Sequence, residues 1–208
     1  MQNTFRKGFT LVELLIVITI LAALAAAVVV VLNPAELLAQ ARDAQRLSDM
    51  TTMRDAVNLF ITQAITRQSP NFLCFATPTG CTAGHCTFAP AAQPFGTGTP
   101  TCHVLTPVAS RAINGTGWVT IDFANNMHGG SPVSALPIDP VNNGSHFYGF
   151  RAHNADNNFK LVTRLESVRH RAMMANDGGT RNGCGAAPGF PDWNTVNCFF
   201  EIGTNMAL

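Results

Sequence analysis

Charge is scarce in this 208-residue chain: Asp, Glu, Lys and Arg make up 12% of it, and 13 basic residues stand against 12 acidic ones. That near-balance excludes binding to nucleic acid through bulk charge, because no cationic excess exists to displace counterions from a phosphate backbone. Catalytic signatures are missing as well. Gly130-Ser131-Pro132 is not a nucleophile elbow, no His-Glu-x-x-His occurs, and no glycine-rich loop opens a helix after a strand. The six histidines are scattered among loops and strands, where solvated or structural roles are common.

What the chain has instead is an uneven distribution of apolar residues. Phe9 to Leu32 is a 24-residue stretch with Glu13 as its one charge and Thr10 and Thr19 as its other polar side chains. As a helix it rises about 36 Å, enough to cross a hydrocarbon core of about 30 Å with some tilt. Arg6 and Lys7 precede it and the next basic residue is Arg42, a bias that places the N-terminus in the cytoplasm and everything after Leu32 outside. A secretory signal peptide fits poorly: Ala23-Leu24-Ala25 is followed by the further apolar run Val28 to Leu32, with no polar region before a cleavage site. A plain anchor fits the length but not Glu13. A carboxylate in a spanning helix costs on the order of 2.5 to 3.5 kcal/mol on insertion scales, so it marks a function or has a partner.

Gly8-Phe9-Thr10-Leu11-Val12-Glu13, behind the short basic leader Met1 to Lys7, closely resembles the class III signal of type IV pilins and pseudopilins. The resemblance implies cleavage between Gly8 and Phe9 by a membrane aspartyl peptidase and N-methylation of Phe9. It further implies a contact between Glu13 and the Phe9 amine of a neighbouring subunit, which sets axial register. The implied partners are other copies of the chain in a homopolymer, the prepilin peptidase and N-methylase, and an inner-membrane assembly platform. Elementary chemistry runs the same way: the cut turns Phe9 into an α-amino cation, with Glu13 at i+4 on the same helical face. The carboxylate also lies near the helix N-terminus, where the macrodipole favours negative charge. Loss of Arg6 and Lys7 with the leader leaves 11 of the 13 basic side chains against 12 acidic ones, a net charge of −1.

Past the apolar run, Asn33-Pro34 predicts a bend or local loss of helix, since proline removes an intrahelical hydrogen bond and crowds the preceding turn. Leu38, Ala41, Ala44, Leu47, Met50, Met53, Val57, Phe60 and Ala64 then recur at steps of three or four, one stripe of an amphipathic helix ending near Gln68. Opposite lie Arg42, Asp43, Arg46, Asp49, Arg54 and Asp55, whose spacing reads as a solvated face with weak ion pairs, or as contacts between packed subunits. Residues 69–116 form a loop region rich in Pro, Gly, Thr and Cys, with short extended pieces. Residues 117–208 carry alternating segments at Trp118 to Phe123, His146 to Arg151 and Phe159 to Leu165, and a last candidate strand at Val196 to Ile202. The division is therefore a leader at 1–8, an apolar helix at 9–32, its amphipathic half at 33–68, the loop region and an antiparallel sheet head. This is an α+β fold in which one long helix packs on a small sheet.

The resemblance continues in the head. Ala135-Leu136-Pro137-Ile138-Asp139-Pro140-Val141-Asn142-Asn143, then Phe147-Tyr148, Phe159-Lys160-Leu161 and Leu165-Glu166-Ser167, looks like the Leu-Pro-x-Asp-Pro turn and paired strands of pilins and major pseudopilins; the insertion from Asn71 to Gly115 departs from compact pseudopilins. Major pseudopilins hold calcium after that turn, which makes Asp139, Asn142, Asn143, Asp156 and Asn158 candidate oxygen ligands; the alternative is that they only form turns.

Six cysteines all fall in the exported part, where an even number predicts disulfides. Cys184 and Cys198 most simply pair with each other, and Cys74, Cys81, Cys86 and Cys102 allow three pairings. Zinc is the alternative, since His85 and His103 adjoin Cys86 and Cys102, although no Cys-x-x-Cys is present. The expected function is a structural subunit of a type IV pilus-like filament, without catalysis or a required cofactor. It would be inserted in the cytoplasmic membrane as a precursor and displayed at the cell surface once assembled. The rivals are a pseudopilin of a secretion or DNA-uptake system and, from another class, a membrane-anchored secreted enzyme.

Overall fold

A computed structural model of the chain describes residues 8–64, 73, 84–89, 94–95, 103–104, 111–153, 157–179 and 198–204. The chain divides into two compact units, Met1–Ala39 and Gln40–Leu208.

The first unit contains helix α1, Leu11–Leu32, whose apolar side chains are exposed all round, with Leu11 at 79% and Val29 at 61%. A helix without a polar face satisfies its backbone internally and has nothing to gain from water, which suits it to lipid or to packing against other apolar helices. The span Leu11–Val29 is long and apolar enough to cross a membrane. Helix α1 ends where Asn33 takes the left-handed conformation (φ 41°), a conformation Asn tolerates better than other side chains. Pro34 then occupies the first position of helix α2, Pro34–Gln63, where its missing N–H is no loss. The backbone amides of Glu36 and Leu37 both donate to the Asn33 carbonyl oxygen. The expected break at Asn33-Pro34 is thus a change of helix across a single residue.

In the second unit α2 supplies Met50, Met53, Ala56, Val57 and Phe60 to the core, continued by Ala64. They meet Trp118, Ile121, Phe123, Tyr148 and one face of a sheet, Phe150, Ala152, Phe159 and Leu161. Phe60 sits edge-on to Phe123 at 5.5 Å between ring centres, a favourable quadrupolar arrangement. The helix closes at Gln63, five residues before the expected end, and Ala64 instead bridges to Met127.

The strands are β1 (His85–Cys86), β2 (His103–Val104), β3 (Gly149–His153), β4 (Asn158–Thr163) and β5 (Phe200–Gly203), in the order β2-β1-β3-β4-β5. Pairing is antiparallel except between β1 and β2, which are parallel. The two strands at that edge come from the loop region, so the insertion extends the sheet with two short pieces. Register places Phe150 opposite Leu161 and Leu161 opposite Ile202, which aligns the residues facing α2. The opposite face is buried too, under Cys86, Phe95, Phe147, Val162 and Phe199, and includes a Lys160–Glu201 ion pair at 2.9 Å with both side chains shielded from water. A short helix α3, Val168–Arg171, and a 3-10 turn, Ala172–Ala175, follow β4.

Trp118 to Phe123 is not the expected strand. All six residues are buried, so the alternation of residue types does not correspond to alternating faces. The segment is a core-filling loop held by specific bonds: Trp118 Nε1 donates to the Pro137 carbonyl at 2.8 Å, and the Phe123 amide donates to Ile113 O at 2.9 Å.

Candidate functional site

Two groups of polar residues stand out, one at the start of α1 and one between α2 and the head. At the first, Gly8, Phe9 and Thr10 precede the helix. Gly8 is exposed with open space around it, and Phe9 is 83% exposed. Thr10 is the N-cap, in extended conformation (φ −79°, ψ 151°), and forms a complete capping box with Glu13. The Glu13 amide donates to Thr10 Oγ1 at 3.2 Å, while the Thr10 amide and hydroxyl both donate to Glu13 Oε2, at 2.9 and 2.8 Å. The i,i+4 spacing from Phe9 therefore does not put the two residues on one helical face, because the helix begins only at Leu11 and Phe9 lies outside it. Within the chain Glu13 is answered by Thr10. Residues 1–7 of the leader lie outside the described residues.

The second group overturns the expectation of a solvated charged face. The charged residues Asp43 and Arg46 are fully buried, whereas Leu38 is 61% exposed and Ala41 and Ala44 are exposed. The buried face thus runs through Asp43, Arg46, Met50 and Met53, still at helical steps. Arg46 clasps Asp139 with two bonds, Nε to Oδ2 at 2.7 Å and Nη2 to Oδ1 at 2.9 Å. Its Nη1 reaches Asp43 Oδ1 at 2.9 Å and Glu166 Oε1 at 2.6 Å. Arg42 grips Glu166 from the surface side, with Nη2 to Oε2 at 2.5 Å. Asp43 also accepts the backbone amides of Glu166 and Ser167, and Asp139 those of Val141 and Asn142.

Buried charges are tolerated only when paired and saturated with hydrogen bonds, and this network meets both conditions. Burial opposes ionisation of Glu166, but the bonds from Arg42 and Arg46 outweigh it and hold its pKa down to about 2. Burial likewise opposes charge on Arg46, yet the bonds to Asp139 and Glu166 raise its pKa above the ordinary value. His146 nearby is pushed the other way, first by burial and then by the Arg46 charge. Beside the network, Tyr148 donates its hydroxyl to Asp49 Oδ2 at 2.8 Å, and burial followed by that bond raises the phenol pKa.

The Asp139 oxygens are therefore occupied by a guanidinium and two backbone amides, which replaces the expectation of a calcium ligand there. Asn142 and Asn143 build the turn: Asn142 is left-handed (φ 45°), and Asn143 Oδ1 accepts the amides of Ser145 and His146. Asn158 begins β4, and Asp156 lies outside the described residues. Among the described residues no group of three His, Cys, Asp or Glu is placed to hold a metal. Cys86 and Cys198 are disulfide-bonded, so the thiolate that zinc would need at Cys86 is not present. Cys74, Cys81, Cys102 and Cys184 lie outside the described residues, and with them the Cys184–Cys198 pairing.

One constellation invites a catalytic reading. Ser167 Oγ lies 3.0 Å from His170 Nδ1, and the same nitrogen lies 3.8 Å from Asp43 Oδ2. A proton relay needs the serine on one ring nitrogen and the acid on the other. Here both face Nδ1, and Ser167 serves as the N-cap of α3, accepting the His170 amide at 3.2 Å.

Sequence reasoning missed the Arg46 network because the helix stripe admitted a second reading, shifted by about one residue, that passes through two charges. The signal available was the pair of acids, Asp139 and Glu166, in the very segments that resemble pilin heads.

Residues 4–29 match the family model described as the prokaryotic N-terminal methylation motif. No curated protein and no solved structure matches the chain. The N-terminal segment is accordingly a class III signal, and the chain is a type IV pilin- or pseudopilin-like protein. The motif implies processing by a prepilin peptidase and pilus-type assembly, and together with the apolar α1 it fits membrane anchoring of the precursor.

Proposed function

We propose that this chain is a structural subunit of a type IV pilus-like filament. The precursor sits in the cytoplasmic membrane through α1 with its head exported; the peptidase cuts between Gly8 and Phe9, and Phe9 is methylated. Assembly moves α1 from lipid into a bundle of identical helices, where Glu13 pairs with the Phe9 amine of another copy and so sets register. The observation that carries this reading is a single carboxylate, Glu13, at the head of an otherwise apolar helix directly after an exposed Gly8-Phe9 bond. An acid so placed is costly in lipid and finds its answer in a cation that cleavage creates.

Mass analysis of the exported protein tests the processing. The expected product begins at Phe9 and carries one added methyl group; recovery of residues 1–8 in the mature product contradicts it. A second reading, a pseudopilin of a secretion or DNA-uptake machine, draws on the Leu136-Pro137-Ile138-Asp139-Pro140 turn. Long surface fibres containing the chain favour the pilus over this reading.

A further inference from the structure

We propose that Thr10 is a positioning residue for assembly, holding the Glu13 carboxylate by one oxygen and leaving the other for the amine of an incoming copy. The proposal rests on the pairing of Glu13 with a neighbour's Phe9 amine. Both donors of Thr10, the amide at 2.9 Å and the hydroxyl at 2.8 Å, converge on Glu13 Oε2. Oε1 receives no hydrogen bond from the described residues. A carboxylate offers about four lone-pair sites, so the box leaves half of its accepting capacity open.

The same geometry decides which amine can reach it. With Thr10 extended, the chain turns out of the helix before Phe9, and Phe9 stands exposed away from the α1 surface. An N-terminus in line with the helix would place its own amine over the first turn, close to Glu13. The extended cap removes that geometry, so the cation that Oε1 meets comes from a second copy. A carboxylate clamped on one side also has fewer rotamers to lose when the contact forms, and it presents one oxygen rather than a rotating pair. Thr10 thereby shields the acid while the subunit waits in lipid and aims it when the subunit leaves.

The test uses the full chain expressed with its own peptidase and assembly machinery. Thr10→Val keeps the side-chain size and the backbone amide but removes the hydroxyl; Thr10→Ser restores the hydroxyl. Filament yield, scored per molecule of chain cleaved at Gly8-Phe9, is expected to fall about tenfold in Thr10→Val, as for loss of one hydrogen bond to a charged group. Thr10→Ser is expected to recover wild-type yield. Normal yield from Thr10→Val overturns the proposal, as does a loss that serine fails to rescue. Loss of cleavage in Thr10→Val also overturns it, by assigning the hydroxyl to peptidase recognition. Glu13→Ala run in parallel separates the two levels: normal assembly of that variant defeats the underlying pairing, whereas failed assembly beside a normal Thr10→Val defeats the role of Thr10 alone.

Discussion

Arg46 is the residue on which the head's attachment to α2 turns. Its guanidinium bonds Asp139, Asp43 and Glu166 with no exposure to solvent, so truncation leaves two buried carboxylates, Asp43 and Asp139, without their cation. Breaking a buried pair from one side costs about 3 to 5 kcal/mol. Arg46→Met in the full chain in detergent is expected to lower head stability by that amount. Trp118 fluorescence during urea unfolding measures it, because that ring is fully buried in the native core. Glu166 gives the pH dependence. Its folded pKa lies at about 2, below the ordinary 4.5, so its stabilisation is complete above pH 4.5 and is lost as pH falls through 2. Urea midpoints measured down the acid range should decline over that interval, and Glu166→Gln should flatten this part of the profile.

At the scale of elements, the boundary between α1 and α2 depends on two adjacent residues with different tasks. Asn33 is left-handed and its carbonyl receives the amides of Glu36 and Leu37, while Pro34 merely fits a position that needs no N–H. A β-branched residue is strained at positive φ, and Pro34 disfavours the helical alternative for its predecessor. Asn33→Val is therefore expected to cost about 1 to 2 kcal/mol locally and to speed amide exchange at Glu36 and Leu37 roughly tenfold. Pro34→Ala should leave those rates nearly unchanged. Hydrogen exchange of the full chain in micelles distinguishes the two. The break itself was legible in the sequence because proline acts locally, and β3 and β4 were legible because their alternation matches a one-register hairpin. Trp118 to Phe123 was not, since its polar members are satisfied inside the core: Thr120 donates to Leu73 O, and Asp122 accepts from Asn125. Periodicity reports faces only where one face meets water.

Across the whole molecule, the two ends of the sequence differ in how far local chemistry determines them. The signal at Gly8 to Glu13 reads directly because a charge in an apolar run has few physical explanations. The head's polar network does not, because it joins α2 to acids at positions 139 and 166, more than ninety residues away in sequence. Only the folded arrangement shows that Asp139 faces a guanidinium. That arrangement also makes the Leu-Pro-x-Asp-Pro turn part of the scaffold under α2, anchored by Trp118 at Pro137 and by Arg46 at Asp139.

The account stands on a contact between copies, Glu13 of one with the Phe9 amine of another. Filaments assembled from a mixture of chains, one set labelled with ¹⁵N-phenylalanine and the other with ¹³C at the glutamate carboxyl, isolate that contact by solid-state NMR. The terminal amine is separated from backbone amides by its chemical shift. Dipolar coupling between that amine and a carboxyl carbon within about 5 Å is the predicted result for an ion pair. Filaments of normal yield and length that show no such coupling contradict the account.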